Sequence, residues 1–469
     1  MKKYLLISIS IVITPLVLCS LSFRTKSGKN PFPELPEKAA ARPTSPKMYS
    51  EEILRNDLEE IKNILITNHP APYQFTGREA FDKFYNEQLQ KINRSMNLGE
   101  YFLIAAPLVE SLHCGHTWIS LPDEFWNNKE IVFFPLGLIF SGNKAFAALS
   151  GEINAIPQGS EIISVNKIPV SDIIESTKRL VNSDAKSRTG KLAIFGYSFP
   201  DLFAIQYGKP DRYEVNFIPP GSTEIHVQVV KPVSRKTAWV NSTSTLAGSF
   251  SGGNKLQLEI RKAENLAVMS IPTFGYYNNQ QKLYAFLDSA FDQIHRSVIQ
   301  NLILDLRNNS GGDPICAARL ISYLEKQPAP YFARVYKGYE ALAETIPVSE
   351  KNAYTGNLYV LINGGCFSTT GHLCALLKYN RRATFVGEET DGTYECNDDH
   401  VRIQTSATHL NLNVARMTYT AAVKGLSRET GIMPDYPVEP TMDDVLTGWD
   451  AVKQFAMKLS DKGQGTRDK

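Results

Sequence analysis

The stretch Asp305-Leu306-Arg307-Asn308-Asn309-Ser310-Gly311-Gly312 constrains this chain more than any other. It follows an apolar run, Leu302-Ile303-Leu304, and precedes a segment with helical character from Ala317 to Leu324. Further along, Tyr359 to Ile362 reads as a second buried strand that breaks at Asn363-Gly364-Gly365. Ser368 then stands at the mouth of another expected helix, Thr369 to Tyr379. Each unit is a strand ending in a glycine turn that opens a helix, where backbone N–H groups point outward unpaired. Two such turns together can supply a nucleophile and an oxyanion hole. Acyl transfer needs both.

At these residues the chain resembles the family of C-terminal-processing (tail-specific) proteases and the related tricorn core proteases. That family carries a similar Asp-Leu-Arg-Asn-Asn-x-Gly-Gly stretch and an Asn-x-x-x-x-Ser turn. After a helix it has a Val-Gly-Glu strand, here Val386-Gly387-Glu388. The resemblance extends over nearly the whole chain beyond its leader. It implies an α/β fold: a crotonase-like catalytic core with an N-terminal helical cap and a PDZ-like β domain. It also implies Ser368 as nucleophile, with the backbone N–H groups of Gly311 or Gly312 and of Thr369 as the oxyanion hole. Asp305 and Arg307 are expected to fix the loop by hydrogen bonding, and Cys366 to pack.

The rest of the chain divides by pattern. Residues 1–22 read as an export signal, with Lys2-Lys3 ahead of an apolar run too short to span a membrane. Leu16-Val17-Leu18-Cys19 resembles a lipoprotein cleavage box, which leaves two readings open: a lipidated Cys19, or an ordinary signal with an incidental cysteine. Residues 23–47 form a proline-rich tether that cannot bury enough apolar surface to order itself. Residues 48–120 are a helical cap. Ser50 is its first N-cap, Leu54, Leu58, Ile61 and Leu65 follow at helical spacing, and His69-Pro70 stops the helix.

Short strands then fill residues 128–235. Gln158 to Lys167 resembles the strand and turn of a PDZ core, with Ser171 to Val181 as the following helix. Pro135-Leu136-Gly137-Leu138 is the matching carboxylate-binding loop, which makes Gly137 and Leu138 the substrate-binding candidates. PDZ domains capture a chain end by adding it as a strand. Ala185 to Tyr207 is too long for an ordinary PDZ loop and is expected as a loop beside the active site. Residues 255–447 alternate strand and helix, as an α/β sheet covered by helices does. Residues 448–469 close the chain with a helix and a polar tail.

A serine needs a base. Tail-specific proteases use a lysine in a Phe-Gly-Lys-Gly turn, but the matching stretch here is Asp391-Gly392-Thr393-Tyr394, so the lysine position holds Thr393. The tricorn branch instead draws a histidine from an Asp-Gly-His-Thr stretch, and Cys114-Gly115-His116-Thr117 matches it at His116. An imidazole titrates near neutral pH and can take and return the serine proton. His372, four residues after Ser368, is the local rival. The resemblance makes Glu429, ahead of Gly431-Ile432-Met433-Pro434-Asp435, the group that orients the base. In the tricorn branch that glutamate acts through a serine, replaced here by Gly115.

Other classes find little support. The net charge of +2 is spread along 469 residues, which gives no footprint for nucleic acid. The six cysteines lie far apart without metal-ligand spacing, so no metal or cofactor is expected and any disulfide pairing stays open. The expected function is an exported serine endopeptidase of the periplasm or cell envelope, acting on unstructured polypeptides or C-terminal tails. The alternative is an inactive relative that binds a peptide or hydrophobic ligand. It is raised by Thr393, Gly115 and Gly371, where the family has a lysine, a serine and a glutamate.

Overall fold

The computed structural model describes residues 47–127, 131–148, 156–208, 210–248 and 255–464. The export signal, Cys19 and the tether before Lys47 lie outside the described residues. Ser50 opens helix α1 (Glu51–Asn68) by accepting the N–H of Ile53, and Glu51 and Glu52 complement the helix dipole. Leu54, Leu58, Ile61 and Leu65 lie on one stripe and are fully buried. Each contributes about 1.5–3 kcal/mol by leaving water. Their face packs into one core with α2 (Arg78–Lys91) and α3 (Leu98–Glu110). Within it Asp57 accepts from Tyr101 Oη, Thr408 N–H and Thr408 Oγ1. This ties the cap to a loop near the end of the chain.

A short strand, β1 (Trp118–Ser120), leaves the cap. The next region contains β2 (Leu138–Ser141), β3 (Lys144–Ala147), β4 (Glu161–Val165), α4 (Val170–Thr177), α5 (Arg188–Tyr207), β5 (Tyr213–Ile218) and β6 (His226–Val230). Strands β2 to β6 form an antiparallel sheet in sequence order, with β2 and β6 at its edges. The expected loop from Ala185 to Tyr207 is instead mostly helix. Gly190, Gly196 and Pro200 disguise it, because each is a poor helix former. Phe195, Phe199 and Phe203, four residues apart, set one aromatic face against Phe134, Phe140 and Tyr213. That packing outweighs intrinsic propensity.

The remaining elements form the α/β region: β7 (Gln257–Arg261), β8 (Leu266–Ser270), α6 (Gln280–Arg296), β9 (Asn301–Asp305), α7 (Pro314–Leu324), β10 (Asn357–Ile362), α8 (Thr369–Tyr379) and β11 (Thr384–Gly387). After them come β12 (Glu395–Asp398), β13 (Val401–Gln404), β14 (Asn411–Val414), β15 (Met417–Thr420), β16 (Tyr436–Pro437) and α9 (Ala451–Gln464). One sheet runs in the order β7-β8-β9-β10-β11-β16, parallel throughout except for β7. Leu302, Leu304, Val360 and Ile362 face α6, α7 and α8, while Ile303, Leu361 and Val386 face α9. Burial on both faces explains why β9 and β10 read as unbroken apolar runs.

Two further pairings position the site. β14 pairs with both β13 and β1, which joins the segment after the cap to the α/β region. Arg307 forks onto Asp305 at 2.6 and 2.9 Å and onto Asp450, just ahead of α9, at 2.8 Å twice. The two residues expected to fix the loop do so, and they anchor the C-terminal helix as well. The five described cysteines, Cys114, Cys316, Cys366, Cys374 and Cys396, are buried and unpaired. Among the described residues no helix is long and apolar enough to cross a membrane.

Candidate active site

The two glycine turns lie side by side because β9 and β10 are parallel neighbours, with Asp305 opposite Leu361. Asparagines lock them together. Asn308 N–H donates to Asn363 Oδ1, Asn363 Nδ2 donates to Asn308 Oδ1, and Phe367 N–H donates to the Asn309 carbonyl. Ser368 is held at φ +56° and ψ −126°, a conformation that costs a non-glycine residue energy. Its hydroxyl makes no capping bond to α8. Instead Oγ lies 3.2 Å from His116 Nε2.

His116 reaches this point from the turn between α3 and β1. Asn413 Nδ2 donates to its carbonyl, and Ala415 N–H donates to Thr117 Oγ1, so β14 and the residue after it hold the turn. The Phe367 ring stacks on the imidazole at 4.4 Å and 24°. A Cβ on Gly115 would fall 2.7 Å from that ring. The serine of the tricorn branch could stand at position 115 only if the Phe367 ring shifted.

Three groups that the sequence did not flag complete the surroundings. Asp398 Oδ2 lies 3.7 Å from His116 Nε2. Burial pushes its carboxyl up, but facing His116 and His400 outweighs this and holds it below the usual carboxylate range. Asp184 accepts the N–H of Gly115 at 2.8 Å and is buried, which raises it to about 6 against the opposing pull of His116. Cys396 Sγ lies 3.8 Å from both Ser368 Oγ and His116 Nδ1. Burial, then the charges of Asp184 and Asp398, push its thiol well above the usual range. A thiol kept protonated is a poor nucleophile.

Glu429 is not at the site, contrary to expectation. Its side chain is at the surface, paired with Lys186 at 3.1 Å, and its neighbours Ser427 and Arg428 are exposed as well. Gly311 also differs from expectation, because its N–H is taken by Asn309 Oδ1 at 2.9 Å. Among the described residues no acceptor meets the N–H of Gly312 or of Thr369. Thr369 begins α8, where an N–H lacks an intrahelical partner, and its Oγ1 donates to the Gly312 carbonyl at 2.6 Å. Gly311 is instead required by space: at φ +93°, a Cβ would fall 2.7 Å from the Phe367 carbonyl and 2.9 Å from Thr369 N.

The remaining candidates lie elsewhere. His372 is buried edge-on to Tyr331 and Phe332, and burial, reinforced by His116, lowers it to about 4. Cys366 packs with its thiol on the Leu306 carbonyl. Thr393 Oγ1 donates to the Glu395 carbonyl. Gly371 has no space for a side chain, since a Cβ would fall 2.6 Å from Gly392. Gly137 and Leu138 sit at the start of edge strand β2. The Gly137 carbonyl accepts from Ala148, and Leu138 pairs with Ala147.

Residues 265–438 match the sequence model of peptidase family S41. The matched residues lie within the α/β region, which is thus similar to an S41 peptidase domain, and the protein is a serine-type peptidase. Its fold is shared with mature CPAF. In the complex with lactacystin the TM-score is 0.64 at 15% identity, over 88% of this chain and 98% of that one. For mature CPAF in a second crystal structure the TM-score is 0.61 at 14% identity, over 87% and 97%. No curated protein matches the sequence.

Proposed function

We propose that this protein is an exported endopeptidase that cleaves unstructured polypeptides through an acyl-enzyme on Ser368, with His116 as the base. The observation that carries this reading is the 3.2 Å approach of Ser368 Oγ to His116 Nε2, made by a serine that leaves its own helix uncapped. In the proposed reaction Nε2 takes the hydroxyl proton as Oγ attacks the scissile carbonyl. The resulting oxyanion is met by the N–H groups of Gly312 and Thr369 at the start of α8. Asp398 and Asp184, both close to His116, stabilise the imidazolium, the role first expected of Glu429. His116 then returns the proton to the leaving amine, and water releases the acyl group by the same route.

The α/β region is proposed as the crotonase-like core and the β2–β6 sheet as the PDZ-like module. A substrate's carboxyl end would add along edge strand β2 from Gly137 and Leu138 onward, with side chains against Phe140. Docking a chain end there raises the local concentration of the bond to be cut. Export, to the periplasm or cell envelope with Cys19 as a lipid anchor, is proposed from residues 1–22 alone.

One experiment tests substrate and nucleophile together: cleavage of an unstructured peptide, as free acid and as C-terminal amide, by wild type and Ser368→Ala. The expected result is cleavage by wild type only, faster for the acid. Equal turnover by the variant would remove Ser368 from the chemistry, and equal rates for acid and amide would remove the tail-docking role.

A further inference from the structure

Around the Ser368–His116 pair the fold gathers a second set of donor atoms. One carboxylate oxygen of Asp184, one ring nitrogen of His116 and Cys396 Sγ lie within 4.8 Å of one another, all in buried residues. Among the described residues no other group of histidine, cysteine and acidic side chains is so arranged. Cys396 Sγ is 3.8 Å from His116 Nδ1. Around a tetrahedral zinc ion, with Zn–S about 2.3 Å and Zn–N about 2.0–2.1 Å, sulfur and nitrogen stand roughly 3.5 Å apart. The pair needs little adjustment to share an ion.

Asp184 supplies an independent observation. Its Oδ1 accepts the Gly115 N–H, while its Oδ2 is buried without any hydrogen-bond partner. Leaving a buried carboxylate oxygen unmatched is costly, and a cation would satisfy it.

We propose that His116, Asp184 and Cys396 form a binding site for a divalent cation of zinc's class, and that filling it arrests the peptidase. His116 donates the Nδ1 lone pair, Asp184 a carboxylate oxygen and Cys396 its thiolate. The thiol proton, with any proton on Asp184, leaves to solvent as the ion binds. The two anions neutralise the ion's double charge inside a buried site. Ser368 Oγ or a water fills the fourth position. A set of one sulfur, one imidazole and one carboxylate selects zinc over magnesium or calcium, which prefer oxygen alone. An imidazole bound through Nδ1 keeps its single proton on Nε2, facing Ser368. It can then donate to the serine but cannot take the serine's proton. Arrest rests on the function proposed above; binding does not.

The test loads the full chain with Zn2+, desalts it and measures metal content, and in parallel titrates it with Co2+ as a spectroscopic probe. The expected results are one zinc per chain and a near-ultraviolet thiolate-to-cobalt charge-transfer band with the strong visible bands of a four-coordinate ion. Cys396→Ser should lose the charge-transfer band, and both Cys396→Ser and Asp184→Asn should bind zinc at least tenfold more weakly. Ser368→Ala should keep the band. A wild-type cobalt spectrum without thiolate character, or substoichiometric zinc, overturns the site even if the variants fail to fold. Fluorophosphonate labelling of Ser368 should fall in step with zinc loading and return with chelator. Labelling that persists at one zinc per chain overturns the arrest. A band in a protein that never labels would leave the metal site standing and count against the peptidase chemistry instead.

Discussion

Ser368 and His116 meet across 252 residues of chain, and each is placed by its immediate neighbours. Phe367 illustrates this. Its ring stacks on His116, its backbone N–H is bonded to the Asn309 carbonyl, and the next residue is the proposed nucleophile. Gly115 is the cost of that stacking, because any side chain there would enter the ring. Gly115→Ala should therefore push Phe367 and His116 apart. A displacement near 1 Å costs about 100-fold in rate, so the expected result is a kcat loss of that order with a lower melting temperature. An unchanged kcat would show that the stack does not position the base. His116→Ala should lower kcat by about three or more orders of magnitude with little change in KM. His372→Ala should keep most activity, because its ring is held against Tyr331 and Phe332 and not against the Ser368 hydroxyl. The reverse ranking would transfer the role to His372. Ser368 and His116 were legible because each stands in a short motif. Asp184, Asp398 and Cys396 were not, since what unites them is proximity between distant segments, and no spacing encodes it.

At the scale of elements, patterned segments were read well and disguised ones were missed. Helix α8 spans the residues expected, and β9 and β10 begin and end within two residues of the apolar runs that mark them in the sequence. Apolar runs bounded by glycine turns are an unambiguous signal. Helix α5 was missed because its glycines and proline speak locally, while its phenylalanines matter only once the β sheet is present. The end of β11 carries a titration that can be measured. Burial, then repulsion from Glu439, raises Glu388 to about 7 from an ordinary 4.5, with Arg307 opposing. Between those values the native chain holds a proton that the unfolded chain has lost. Stability should fall as pH rises through that window, with the full penalty present above it. Glu388→Gln removes the penalty. Its advantage in unfolding free energy should be absent near pH 4 and level off above pH 7 at up to about 3 kcal/mol. A difference between the two proteins that does not vary with pH would contradict this assignment.

At the scale of the whole molecule, the site exists only where three regions converge. The turn after the cap brings His116, the segment ahead of α5 brings Asp184, and the α/β region brings Ser368, Cys396 and Asp398. Strand β14, paired with β1, and Asp57, bonded to Thr408, clamp the first region to the third. The α/β architecture was readable from alternation alone, and the serine and its base from a resemblance. The carboxylates beside His116, Asp184 and Asp398, required the assembled fold. Reaction of the purified protein with a fluorophosphonate, with the modified residue located by mass spectrometry, tests the central claim most directly. Wild type should be labelled at Ser368 alone, with labelling slowed at least 1000-fold in His116→Ala, about what loss of the base costs such a site. Labelling at another residue, or at an equal rate without His116, would contradict it.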